Sequence, residues 1–179
     1  MSQYFLKTNR LGFRKWTEGD LPIALTLWGD HDVTRLIDAR GKLSEVQVKE
    51  KLAEEIAIEK EHGVQYFPIF LLRTDEHVGC CGVRPYDLDK GLYEIGFHIV
   101  KKFWRQGFAH ESAKAMIEYA FDKLKAAGLF AGHHPNNKAS KLLLEKLGFH
   151  YTHDEYYAQT GLEHPSYLLS ANKGMPITA

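Results

Sequence analysis

Residues 93–124 constrain this chain most, because the hydrophobic period changes there from two to 3.6 across one short basic loop. Over 93–100 the residues are β-branched and aromatic. Glu94, Gly96 and His98 alternate against Tyr93, Ile95, Phe97 and Ile99, which is the pattern of a strand. Beyond the loop, Ala113, Ile117, Ala120, Phe121 and Leu124 recur at three- and four-residue spacings and give a helix one apolar face. A strand running through a tight loop into a helix has a physical use. The first helical turn leaves N–H groups unpaired, and the dipole adds partial positive charge there. Gly107 and Ala109 are small enough for a phosphate to approach the backbone, and Lys101, Lys102 and Arg105 supply cations just before the helix. Residues 104–110 therefore read as a pyrophosphate cradle, with a plain strand-to-helix turn as the other reading of the same residues.

Two other phosphate binders are excluded. No G-x-x-x-x-G-K-[ST] occurs in the chain, and the loop has too few glycines for a dinucleotide fingerprint. Lys plus Arg equals Asp plus Glu at 23 each, which argues against bulk electrostatic binding to nucleic acid or an anionic membrane. No apolar run reaches membrane-spanning length, and residues 1–7 lack a signal-peptide core, so a cytoplasmic protein is expected. A length of 179 residues fits one domain over 1–170 with a loose tail over 171–179. The two cysteines, Cys80 and Cys81, are adjacent. Strand neighbours point to opposite faces, so they read as two buried side chains and neither a disulfide nor a zinc pair. His133 and His134 fail as a metal pair for the same reason, and no metal is expected.

The remaining elements follow in order. Residues 11–16 make a first strand. Thr17 and Asp20 form a cap for a helix over 20–28, with Pro22 tolerated in its first turn. Residues 29–41 read as a loop. Ser44 and Gln47 cap a second helix to about residue 61, whose apolar side is Val46, Leu52, Ala53 and Ile56. Its charged residues read as a solvated face or as an acidic wall for a cationic acceptor. Strands are expected over 66–72 and 77–84, with Gly79 and Gly82 marking a bulge or close backbone approach. After the central strand and helix, Gly128 is expected to close that helix and 129–134 to form a fifth strand. A short helix driven by Leu142, Leu143, Leu144 and Leu147 ends at Gly148, and strands over 150–157 and 165–170 finish a mixed α/β fold.

Trp104-Arg105-Gln106-Gly107-Phe108-Ala109, followed by Glu111-Ser112, resembles the acetyl-CoA signature of the GNAT N-acetyltransferases. The leading Trp is similar to the ribosomal-protein-alanine N-acetyltransferase branch. Asn137-x-x-Ser140 with Glu145-Lys146-Leu147-Gly148-Phe149, Thr8-x-Arg10-Leu11 and Glu94-Ile95-Gly96 carry the same resemblance, which covers residues 8–170. It implies a twisted, mostly antiparallel sheet of six or seven strands with about four helices. The fourth and fifth strands splay to admit acetyl-CoA as co-substrate.

The resemblance also implies roles. Ile99, Val100, Arg105, Gln106, Gly107, Phe108, Ala109, His110 and Asn137 would hold the cofactor, with an oxyanion donor among the N–H groups near Ile99 or Val100. Glu94 would act as base through water. His98, on the same strand face, would be a base or proton relay, and Ser140 would donate to the leaving sulfur or cap its helix. Leu144 stands where many relatives carry a Tyr acid. The acceptor would be a peptide N-terminus or a small amine. A small amine is expected to have a closed pocket lined by Asp30, Asp32 and Asp38. His134 would line that pocket. Dimers are common in the family, and a chain that binds acyl-CoA without turnover is the alternative.

Overall fold

The computed structural model describes residues 3–171; the expected tail beyond Ala171 lies outside them. An eight-stranded sheet runs in the order β1 (Leu6–Lys7), β2 (Leu11–Phe13), β3 (Tyr66–Leu71), β4 (His77–Asp87), β5 (Leu92–Ile99), β6 (Gly128–Gly132), β8 (Leu162–Ser170), β7 (His150–Tyr157). Every neighbouring pair is antiparallel except β5 and β6. The strand beyond the expected six or seven is β1, a two-residue pairing with β2 that carries too little sequence to show a period.

The parallel pair opens almost at once. β5 and β6 match only at Leu92–Gly128, Tyr93–Leu129 and Glu94–Phe130. β6 then continues alongside β8, while Ile95 to Ile99 of β5 keep β4 as their neighbour and lose β6. These are the fourth and fifth strands of the sequence reading, and the splay lies where the resemblance put it.

Helices α1 (Leu21–Trp28) and α3 (Glu45–His62) pack on each other, and α4 (Phe108–Asp122) lies against β4 and β5. The two cysteines mark the two faces. Cys80 Sγ lies 3.6 Å from His98 Nδ1, whereas Cys81 meets Ser112 of α4. Both thiols are buried and free, and burial raises both. Gly82 is tightly enclosed, since a Cβ there would sit 1.8 Å from Gln65 O, so β3 and β4 close only around a glycine.

Both expected caps form. Thr17 with Asp20 opens a 3₁₀ turn ahead of α1, and Ser44 with Gln47 boxes α3. Three expectations need correction. Val46 and Ala53 are exposed on α3, and Val48, Leu52 and Glu55 face inward, because a buried carboxylate breaks the apolar pattern. Gly128 opens β6; α4 has already ended at Asp122, and Lys125 makes the left-handed bend. The segment 29–41 contains a one-turn helix, α2 (His31–Thr34), where Asp30 accepts from Asp32 N–H.

Candidate active site

The splay leaves two cavities, one on each side of β5. They meet at Leu36, Ile37, Phe97, His98, Asn137 and Ser140. The first is bordered by the loop after β5, the start of α4 and the start of α5 (Lys138–Lys146). Gly107 is the N-cap of α4 at φ 81°, a left-handed backbone that a Cβ would strain, and Arg105 beside it is left-handed as well. Among the described residues, no protein acceptor takes the N–H groups of Gly107, Phe108, Ala109 and His110. Those unspent donors converge at the positive end of a fifteen-residue helix, an arrangement that fits a pyrophosphate.

The N-terminal strand pair holds this turn in place, a contribution the motif alone does not reveal. Glu111 accepts from Thr8 Oγ1 at 2.6 Å, Arg10 N at 2.9 Å and Arg10 Nε at 2.6 Å. Arg10 also donates to Gln106 O and lies 4.2 Å above the Phe108 ring. These contacts hold the Glu111 carboxyl below its usual range despite partial burial. Thr8 and Arg10 of the T-x-R-L motif are thus the brace of the cradle.

The expected cofactor residues divide. Ile99, Arg105, Gly107, Phe108, Ala109, His110 and Asn137 border this cavity. Gln106 turns its amide away, onto Lys102 O at 2.9 Å. Val100 donates to Val78 O at 2.9 Å and borders neither cavity, so its N–H is spent inside the sheet. By the alternation of the antiparallel ladder, Phe97 and Ile99 turn their backbone groups toward the gap. Phe97 was missed because the resemblance pointed one or two residues further along the strand. Trp104, the atypical first residue of the signature, donates from Nε1 to Ile99 O at 2.7 Å and steadies that end of β5.

The second cavity, of about 270 Å³, lies over β4 and β5 beneath α3 and the β7–β8 pair. Glu94, Arg84, Tyr66, Lys51 and Glu155 border it. Burial pushes the Glu94 carboxyl up, partly offset by the Arg84 guanidinium across the ladder. No hydrogen bond or ion pair reaches Glu94 among the described residues. Arg84 is committed to Glu55, which is wholly buried on α3 and also accepts from Tyr66 N at 2.9 Å.

His98, expected as a base or proton relay, sits where the cavities join. Trp28 Nε1, which can only donate, points at His98 Nδ1 from 3.1 Å. The neutral ring therefore carries its proton on Nε2. Burial, with Lys51 and Arg84 nearby, drives its pKa down to about 3. His98 is a fixed N–H donor. Ser140 is the third residue of α5, and Asn137 is the cap, accepting from Ser140 N at 3.1 Å. The Ser140 hydroxyl is thus not needed as a cap and has no partner among the described residues. Leu144 is buried against the second cavity and offers no proton.

The aspartates expected around a small-amine pocket are used elsewhere. Asp38 pairs with Arg40, Asp32 with Lys101 at 2.6 Å, and Asp30 caps α2. His134 borders the second cavity, accepting on Nδ1 from Asn136 N, and both it and His133 fall after the end of β6. No cluster of three or more metal-ligating side chains occurs among the described residues.

The family of acetyltransferase (GNAT) domains matches residues 10–150. The chain belongs to that family and is an acetyltransferase. It is 30% identical over 144 residues to an uncharacterized N-acetyltransferase, p20, of Bacillus licheniformis, covering 80% of this chain and 81% of the relative. A solved GNAT-family acetyltransferase from Bacillus anthracis superposes with a TM-score of 0.76 at 23% identity, covering 91% of this chain and 95% of the other. RimL, a ribosomal L7/L12 alpha-N-protein acetyltransferase solved with coenzyme A, superposes with a TM-score of 0.77 at 15% identity over 91% and 95% of the two chains. No helix among the described residues is long and apolar enough to cross a membrane.

Proposed function

We propose that this acetyltransferase moves the acetyl group of acetyl-CoA to a primary amine by direct attack while both substrates are bound. The observation that carries the reading is the meeting of the two cavities beside His98 and Ser140, with the N–H cradle on one side and Glu94 on the other. Acetyl-CoA supplies an activated thioester. The pyrophosphate belongs on Gly107 to His110, and the pantetheine arm along the open edge of β5 beside Asn137. An N–H of that edge, Phe97 or Ile99, faces the thioester oxygen as charge builds there.

The acceptor amine must be neutral to attack. Glu94, taking the proton through water, suits that task because burial raises its affinity for a proton. As the carbon–nitrogen bond forms and the carbon–sulfur bond breaks, the Ser140 hydroxyl is free to donate to the departing sulfur. The His98 Nε2–H orients whichever oxygen lies at the junction. The protein works where coenzyme A is made and recycled, in the cytoplasm, and its acceptor is a protein N-terminal amine, as the RimL name says of that protein, or a small amine. The buried Leu144, where a proton-donating Tyr would stand, favours the second reading, a chain that holds acyl-CoA without turnover.

Thermal unfolding with and without acetyl-CoA tests the cofactor side, using wild type and Gly107→Glu. A ligand specific to the folded state stabilises by about 2.7 kcal/mol at a hundredfold excess over its Kd. Wild type is expected to shift and the variant is not. No shift in wild type at millimolar ligand sinks the reading. A shift without any coenzyme A release across an amine panel leaves the binding module.

A further inference from the structure

We infer that the acceptor is a small zwitterion, an amine with a carboxylate close by and an apolar side chain, of the α-amino acid kind. The inference rests on the acetyl-transfer reading and specifies its acceptor. The cavity over β4 and β5 is bordered by two opposite charges that no protein group meets in an ion pair among the described residues. Glu94 is one. Lys51, on the face of α3 turned to the sheet, is the other. Its ammonium lies 5.2 Å above the Trp28 ring, and no carboxylate comes within ion-pair distance of it among the described residues. Both border the same cavity of about 270 Å³, and no ion pair joins them among the described residues. By contrast, Arg84 between them is already committed to Glu55.

An unpaired charge facing a small cavity keeps an energetic demand that a ligand of opposite sign meets. A zwitterion meets both demands at once, with its amine at Glu94, where it must lose a proton, and its carboxylate at Lys51. A polyamine would bring a second cation to Lys51. A peptide N-terminus would bring a neutral amide there. Leu36 and Ile37 border both cavities, and their segment is held by Asp32 to Lys101 and by Ala39 N–H to Gln159 O at 2.8 Å. Part of the remaining wall is aromatic, beside the polar Glu155, Gln159 and His164. Tyr86 stacks on Phe130 with centroids 4.1 Å apart, and Phe97 and Tyr157 also face the space, which suits an apolar side chain.

The test measures coenzyme A release with L-leucine, L-methionine and L-phenylalanine, each beside its carboxamide and its decarboxylated amine. The acids are expected to exceed the amides and amines at least tenfold in kcat/KM, the size of one charge-assisted contact. Lys51→Met should erase that ratio, mainly by raising KM for the acids, and Lys51→Arg should restore most of it. Amides or amines equal to or better than the acids overturn the inference, and a preference for amides indicates a peptide N-terminus. A ratio that survives Lys51→Met overturns it too. Coenzyme A release from none of the nine compounds, with the acetyl-CoA thermal shift intact, overturns the acceptor class and leaves the cofactor site standing. Loss of the thermal shift removes the reading beneath it.

Discussion

Glu94 and His98 are four residues apart on one face of β5, yet their surroundings separate their chemistry. Trp28 occupies the one lone pair through which His98 would accept a proton, whereas Glu94 keeps both oxygens unclaimed. Glu94→Gln should therefore lower kcat/KM by about 10²- to 10⁴-fold, the usual worth of a positioned base. Because burial raises the Glu94 carboxyl, the acidic limb of the wild-type kcat/KM profile should lie above the ordinary carboxylate range. Activity should climb as pH rises through that raised value, and the limb should vanish in the variant. A carboxyl raised in the folded state loses its stabilising contribution as pH rises through it. The variant should thus be at least as stable as wild type near neutral pH, which a melting curve beside the kinetics will read. Unchanged kinetics with an intact fold would remove Glu94 from the reaction.

Helix α3 meets the sheet through a buried carboxylate as well as through Val48 and Leu52. Glu55 accepts from Tyr66 N, pairs with Arg84 on β4, and its own carbonyl takes Gln65 Nε2 at 2.9 Å. Arg84 in turn lies 4.5 Å over the Tyr66 ring. Removing one partner of such a pair leaves a charge buried without compensation, so Glu55→Ala should cost about 3–5 kcal/mol, measured by denaturant unfolding. A loss below about 1 kcal/mol would mean that Arg84 finds water or Glu54 instead. This anchor was not legible in the sequence, because one inward glutamate among many outward ones carries no periodic signal. It is also why Val46 and Ala53 were assigned to the wrong face. What was legible had local causes: the capping boxes at Thr17 and Ser44, the change of period across the loop after β5, and the small residue at Gly107. The brace from Thr8 and Arg10 to Glu111 spans about a hundred residues, and only the resemblance hinted at it.

Across the whole molecule, the sheet buries imidazoles that water would protonate. His77 is enclosed by Trp16 and Phe70, and burial lowers its pKa to about 4. His98, between Trp28 and Tyr66, is lowered to about 3. Both start from an ordinary imidazole value of 6.5, so between that pH and the folded values the unfolded chain holds protons that the folded chain does not. The sign follows directly. Stability is complete above 6.5 and falls with acidification. Each histidine contributes a slope of about 1.4 kcal/mol per pH unit until its folded pKa is reached. His164 on β8, also lowered to about 4 by burial, adds a third such proton. Urea unfolding at steps from neutral pH to about 4.5 should therefore show roughly three times that slope, less the opposing contribution of the raised Glu94 carboxyl. His77→Phe should remove one proton's worth of it without affecting acetyl-CoA binding, because His77 borders neither cavity. The Asp20–Arg14 and Glu111 contacts hold their carboxyls below the usual range, so they protonate only at lower pH and do not obscure the histidine window. A slope near zero over that window would mean that these imidazoles gain a proton without unfolding. The neutral, Nε2-protonated His98 at the junction of the cavities would then have to be abandoned as well. Stability and the protonation state of the site therefore stand on one titration.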